Sequence, residues 1–123
     1  ELNLMNEIEI HSPTNDITRK YQESVFYVMS SRYEGWGLVL VEAMSCGLPC
    51  IAFDCPCGPR DIINDGENGF LVKPQNTEEL ANKIQQLIED KELRIKLGRS
   101  AKQTAQQYLI KRIAILWKNL FES

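Results

Sequence analysis

The chain has 123 residues, 43% of them hydrophobic and 25% charged, which fits one globular domain with a single core and excludes a disordered or fibrous segment. The net charge of −3 is uneven: residues 1–69 hold 4 Lys/Arg against 11 Asp/Glu, and residues 70–123 hold 10 against 6. The positive charges are spread along expected helix surfaces without aromatic platforms, a pattern that speaks against nucleic acid as a partner.

The chain opens Glu1-Leu2-Asn3, with neither a starting Met nor the charged-then-apolar layout of a signal segment. It reads as a piece of a longer cytoplasmic protein. In chain order, Ile8–Ile10 and Val25–Met29 read as short buried strands, separated by a Pro13/Asn15/Asp16 turn and a helix near Ile17–Gln22. A helix over Gly37–Cys46 follows and ends before Gly47. Strands over Pro49–Phe53 and Phe70–Val72 complete an alternation that predicts an α/β fold, a parallel sheet with flanking helices.

The remainder is helical. Asn76 is placed to cap a helix with Glu79 at the capping-box position, and Leu80, Ile84, Leu87 and Ile88 recur on one face. A second helix runs from Lys91 to Gln107 with Leu93, Leu97, Ala101 and Ala105 at four-residue intervals, and it tolerates Gly98. A terminal helix carries Ile110, Ile113, Leu116, Trp117, Leu120 and Phe121 beside Lys111, Arg112 and Lys118. That pattern suits either an interfacial membrane helix or, as expected here, a face packed on this domain or a neighbouring one. The longest apolar run, Leu38–Met44, contains Glu42 and falls far short of the roughly 18 residues that span a bilayer.

Cys46, Cys50, Cys55 and Cys57 lack the paired two-residue gap of zinc ligands, and the single histidine, His11, is distant in sequence. Free thiols in a reducing compartment are expected, with no metal.

The informative stretch leaves a strand, turns through Gly35 and Gly37, and enters a helix. In open parallel sheets such strand-to-helix turns lie where ligands bind, and helix amino termini there offer N–H groups to phosphate; a plain connecting loop would have the same composition. Glu42 sits among Leu38, Val39, Leu40, Val41, Ala43 and Met44. A carboxylate in so apolar a helix needs either a cation, Arg32 or Arg60 being in reach along the chain, or the hydroxyl groups of a ligand.

Glu34 and Glu42 are separated by seven residues. The run Ser31-Arg32-Tyr33-Glu34-Gly35-Trp36-Gly37-Leu38-Val39-Leu40-Val41-Glu42-Ala43-Met44-Ser45-Cys46-Gly47-Leu48-Pro49-Cys50-Ile51-Ala52 resembles the donor-site segment of family 4 retaining glycosyltransferases, and Gly58–Ile63 and Asp65–Val72 continue the likeness. The resemblance implies a Rossmann-like, partial carboxyl-terminal domain of a two-domain (GT-B) enzyme. The acceptor domain and the first part of the donor domain would be missing, so this piece alone would be inactive.

By the same resemblance, Glu34 would contact donor-sugar hydroxyls and act catalytically by orienting the donor rather than as an established nucleophile. Glu42 would bind the ribose diol, and the Gly35-Trp36-Gly37-Leu38 turn would present N–H groups to the sugar and distal phosphate. His11 and Ser12 fall where the base is held in such enzymes, although a loop role for the histidine is the competing assignment. The implied reaction moves a hexose from a nucleotide-diphosphate sugar, UDP-linked, to a glycan or lipid-linked acceptor, with retention and without cofactor or metal, in polysaccharide biosynthesis. The implied place is the cytoplasm, at the inner face of the membrane. No Asp-x-Asp triplet is present to hold a divalent ion. Two rivals stay open: a non-catalytic module that binds nucleotide sugars, and a different sugar-nucleotide enzyme of the same fold.

Overall fold

The computed structural model describes residues 4–123; the first three residues, where the chain start was read, lie outside the described part. In chain order the elements are α1 (Ile17–Gln22), β1 (Tyr27–Met29), α2 (Leu38–Ser45), β2 (Cys50–Phe53), α3 (Pro59–Ile62), β3 (Gly69–Val72), α4 (Thr77–Glu89), α5 (Lys91–Ala105), a single 3-10 turn (Gln106–Tyr108) and α6 (Ile110–Glu122). The three strands form one parallel sheet in the order β1-β2-β3, with Ile51 opposite both Val28 and Phe70.

Alternation along the strands divides the core into two layers. Cys50 and Ala52 face one side, where Met29, Leu40, Ala43, Met44 and Ala101 pack. Ile51 and Phe53 face the other, joining Phe70, Val72, Leu87 and Leu97. All four residues of β2 are therefore buried, as expected for a central parallel strand covered on both faces. Helix α4 starts as its sequence dictates: the Asn76 side chain accepts from the Glu79 N–H at 3.0 Å, while its own amide donates to the Glu79 carboxylate at 3.1 Å.

Gly98, which looked merely tolerated within a helix, has a packing function. A Cβ there would overlap the backbone carbonyl oxygen of Gly47, so α5 touches the end of α2 backbone to backbone. Asn68, in the loop before β3, has its side chain buried at 1% exposure. Its amide donates to the Ile62 carbonyl at 3.1 Å and to the Thr104 hydroxyl at 3.0 Å, and its carbonyl accepts from the Asn64 N–H at 2.9 Å. One side chain thus ties the α3–β3 loop to α5.

One expectation is corrected, and of the two surfaces expected to cover the terminal helix one is excluded. Ile8–Ile10 is not a strand: Ile8 and Ile10 are exposed, and β1 is an edge of the sheet among the described residues. A strand is held by the neighbour it pairs with, and two isoleucines flanking Glu9 that pair with no sheet edge form none. Helix α6 forms, but it does not dock on this domain's core. None of its residues is buried, and Trp117 stacks on Phe121 within the helix at 5.7 Å. No helix among the described residues is long and apolar enough to cross a membrane.

The Asn68 network yields a test of the fold. Asn68→Ala leaves the Ile62 carbonyl and the Asn64 N–H without their partner, and we expect a stability loss of about 1–3 kcal/mol, read as a lowered urea midpoint with an unchanged slope.

Candidate functional site

The loops at the carboxyl ends of the three parallel strands carry the candidate residues, the position that open α/β sheets use for ligands. After β1 the chain runs through Ser31–Trp36 to Gly37, which adopts a left-handed conformation (φ +85°) and starts α2. Side chains of ordinary residues avoid that conformation, and glycine accepts it. No side chain caps α2. The Leu40 N–H donates to the Gly37 carbonyl at 2.9 Å, whereas the N–H groups of Leu38 and Val39 find no acceptor among the described residues. Free amides at a helix start attract an anion.

The turn is held from two sides. At Gly58 (φ +86°) a Cβ would overlap the Trp36 carbonyl oxygen, so the loop after β2 presses directly on the backbone of the turn that starts α2. The Trp36 ring meets Tyr108 edge-on, 4.8 Å between centroids and 74° between planes, and the Tyr108 hydroxyl donates to the Asp61 carbonyl at 3.3 Å. The Asp61 carboxylate in turn accepts from the Gly58 N–H at 3.2 Å. Trp36 is thereby tied to the loop after β2 and to the junction between α5 and α6.

Glu34 is half-buried and Glu42 is exposed. The internal ion pair considered for Glu42 does not form: Arg60 instead pairs with Asp54 at 2.9 Å, and Arg32 forms no ion pair among the described residues. The apolar neighbours of Glu42 do not surround it, because Leu40, Ala43 and Met44 turn to the core while Leu38 and Val39 are exposed. Its protein partner is Tyr21, whose hydroxyl lies 3.5 Å from Oε2, so most of the carboxylate's accepting capacity is open.

Two tyrosines escaped the sequence analysis. Tyr21 and Tyr27 pack edge-on at 5.8 Å, and both carboxylates bear on them. Burial first, then Tyr27 and Glu42, push the Tyr21 phenol up to about 12. Tyr27 is raised by burial, then by Cys50, Glu34 and Glu42. Tyr27 therefore stands within electrostatic reach of both glutamates. Their sequence signal was only an aromatic in a short helix and another at a strand start.

His11 and Ser12 are placed elsewhere: they line an open surface groove of about 750 Å³ with Thr14, Ile17 and Lys20, and His11 Nε2 lies 3.3 Å from the Glu9 carboxylate. Neither Glu34 nor Glu42 lines that groove. All four cysteines are free, and burial pushes the Cys50 thiol up to about 12. Among the described residues, no three His, Cys, Asp or Glu side chains gather as metal ligands.

Two measurements follow. Gly58→Ala drives a methyl into the Trp36 carbonyl and strains the backbone; we expect a loss of about 1–3 kcal/mol together with a displaced Trp36 indole N–H resonance, whereas Gly66→Ala, with open space around its Cβ, leaves that resonance in place. Tyr21 retains its proton in the folded state beyond its ordinary 10.0, up to about 12. Its contribution to stability is complete below pH 10 and is lost as pH rises from 10 to 12, because the unfolded chain ionises first. Denaturation midpoints across that window fall less steeply in Tyr21→Phe.

The same arrangement occurs in known proteins. The model for "Glycosyl transferases group 1" matches residues 1–104. The amylovoran biosynthesis glycosyltransferase AmsD of Erwinia amylovora is 38% identical over 112 residues, which cover 91% of this chain and 31% of AmsD. The crystal structure of S. aureus TarM in complex with fondaparinux, α-GlcNAc-glycerol and UDP superimposes with a TM-score of 0.90 at 34% identity, covering 98% of this chain and 25% of TarM. The carboxyl-terminal domain of the group 1 glycosyltransferase LpcC from Francisella tularensis superimposes with a TM-score of 0.73 at 34% identity, over 84% of this chain and 53% of that domain. The chain spans about a third or less of the length of AmsD and TarM. From its match over residues 1–104 and from these likenesses, this chain belongs to the group 1 glycosyltransferases and has the Rossmann-like fold of their carboxyl-terminal GT-B domains.

Proposed function

We propose that this chain forms the nucleotide-sugar-binding part of a retaining hexosyltransferase, and that the Gly35–Leu38 turn and Glu42 receive the donor. The observation that carries the reading is the start of α2, where two N–H groups without acceptors open beside a carboxylate whose lone pairs are mostly free. An anion and a diol need those two features together: the amides suit the diphosphate, and Glu42 accepts from two ribose hydroxyls. Leu38 contributes its amide, and its exposed side chain leaves the helix start uncovered.

In this reading Glu34 orients the sugar and the transfer needs no metal, charge on the leaving diphosphate being met by N–H groups and basic side chains. UDP is the proposed carrier, in keeping with the UDP in the TarM complex. The acceptor is a glycan or a lipid-linked saccharide in polysaccharide biosynthesis, in keeping with the amylovoran assignment of AmsD. Most of each relative's length has no counterpart in this chain, and we place the acceptor domain and the first strands of the donor domain there. The open edge of β1 is where those strands would pair. The reaction is placed in the cytoplasm, with the longer protein associating peripherally with the inner membrane face.

Titration of the chain with UDP and UDP-glucose, followed by amide chemical shifts, tests this. We expect shifts at Gly35, Gly37 and Leu38, and we expect Glu42→Ala to weaken binding by roughly tenfold or more, the equivalent of about 1.5 kcal/mol for hydrogen bonds to a charged group. Equal affinity in wild type and Glu42→Ala would remove the ribose role from Glu42. Binding without transfer in the longest natural chain would favour the non-catalytic module instead.

A further inference from the structure

A second pocket, of about 330 Å³, lies beside the donor turn and is built from the loops after all three strands: Ser31, Arg32 and Tyr33 after β1, Cys55 and Pro56 after β2, and Gln75 after β3. These loops are tied to one another. The Cys55 thiol donates to the Ser31 carbonyl at 3.7 Å, and the Asp54 N–H donates to the Val72 carbonyl at 2.8 Å. The pocket is therefore a constructed concavity at the ligand edge of the sheet rather than a gap between mobile segments.

Its lining has a definite chemistry. Arg32 is the one charged residue in it, is exposed, and forms no ion pair among the described residues. The nearest acid of the loop after β2, Asp54, is already taken by Arg60 at 2.9 Å. Tyr33 is 85% exposed, a large aromatic face held out to solvent beside a guanidinium. Gln75 is the sole residue other than glycine with a positive φ, +64°, among the described residues. Such a conformation costs on the order of 1 kcal/mol or more and persists where surrounding structure imposes it, often where a side chain must be aimed.

An aromatic face takes the apolar side of a sugar or polyol; a glutamine and a serine supply donors and acceptors for hydroxyls; an unpaired guanidinium takes an anion in a forked geometry. Glu34 follows Tyr33 directly in the chain, and its carboxylate is close enough to Cys55 to add to the rise of that thiol. The pocket lining thus adjoins, along the chain, the residue proposed to orient the sugar.

We propose that this pocket is an acceptor subsite for a hydroxyl-rich unit that carries an anionic group, with Arg32 gripping the anion and Tyr33 stacking on the carbon frame. It rests on the assignment of the Gly35–Leu38 turn to the donor, because the acceptor must lie against the transferred sugar. In this arrangement the chain contributes to acceptor choice from the donor side, through a residue pair that precedes Glu34.

The test uses amide shifts of the chain with four probes: UDP-glucose, a synthetic glycerol phosphate trimer, neutral maltotriose and inorganic phosphate. The trimer should move Arg32, Tyr33 and Gln75, and Arg32→Ala should weaken it by about fivefold or more while leaving the shifts that UDP-glucose causes at Gly35 and Leu38 unchanged. Tyr33→Ala should weaken both the trimer and maltotriose, and Arg32→Lys should recover part of the trimer's affinity. Inorganic phosphate binding as tightly as the trimer would reduce the site to an adventitious anion site and overturn the proposal. So would maltotriose matching the trimer, or UDP-glucose itself shifting Gln75 in an Arg32-dependent way. Silence of the trimer with a normal UDP-glucose response refutes the subsite alone; silence of UDP-glucose refutes the donor assignment, whatever the trimer does.

Discussion

Burial of β2 on both faces is the constraint on which the rest depends. Its four side chains divide between two layers, so helices must cover both sides of the sheet, and its neighbours must run parallel to leave room for those crossovers. Parallel strands end on one edge. The loops after β1, β2 and β3 are consequently gathered there, and the Gly35–Leu38 turn, the Gly58 loop and the Arg32 pocket are all products of that gathering. A single fully apolar strand thus determines where polar chemistry can collect.

Within that edge, precision comes from close backbone approach and aromatic contact rather than from salt bridges. The ion pairs of the described residues are exposed or half-exposed, and such pairs contribute little to stability. Trp36, by contrast, is fixed by the Gly58 backbone, by the Tyr108 ring and, through Asp61, by the hydrogen bonds that join those two. The Gly35–Leu38 turn is held by its own protein contacts, so little ordering is left for a ligand to impose.

Sequence periodicity located most of the architecture because it reports burial directly. Leu80, Ile84, Leu97, Ala101 and Ala105 pack where their spacing placed them, and α2 and β2 fall within a residue of expectation. The same logic failed at Ile8–Ile10, and at α6 it found the helix but not a covering surface in this chain; periodicity marks a face without saying what covers it. The cation alternative for Glu42 fell for a related reason. Its neighbours along the chain are apolar, but the helix turns them away from it, and charge environment follows three-dimensional rather than linear proximity. The Tyr21–Tyr27 pair and the Trp36–Tyr108 contact span separations that no local pattern encodes.

The contact of Gly98 with the Gly47 carbonyl has a consequence for how this domain can vary. Most helix contacts are negotiable, since a larger side chain on one partner can be matched by a smaller one opposite. Here there is no side chain on either partner to shrink, and any bulk added at position 98 meets a main-chain atom present in every possible sequence. Relief would require sliding α5 as a whole, and with it Leu97 and Ala101, which lie in opposite core layers. The contact thereby sets how closely α5 can lie against the end of α2 in this chain.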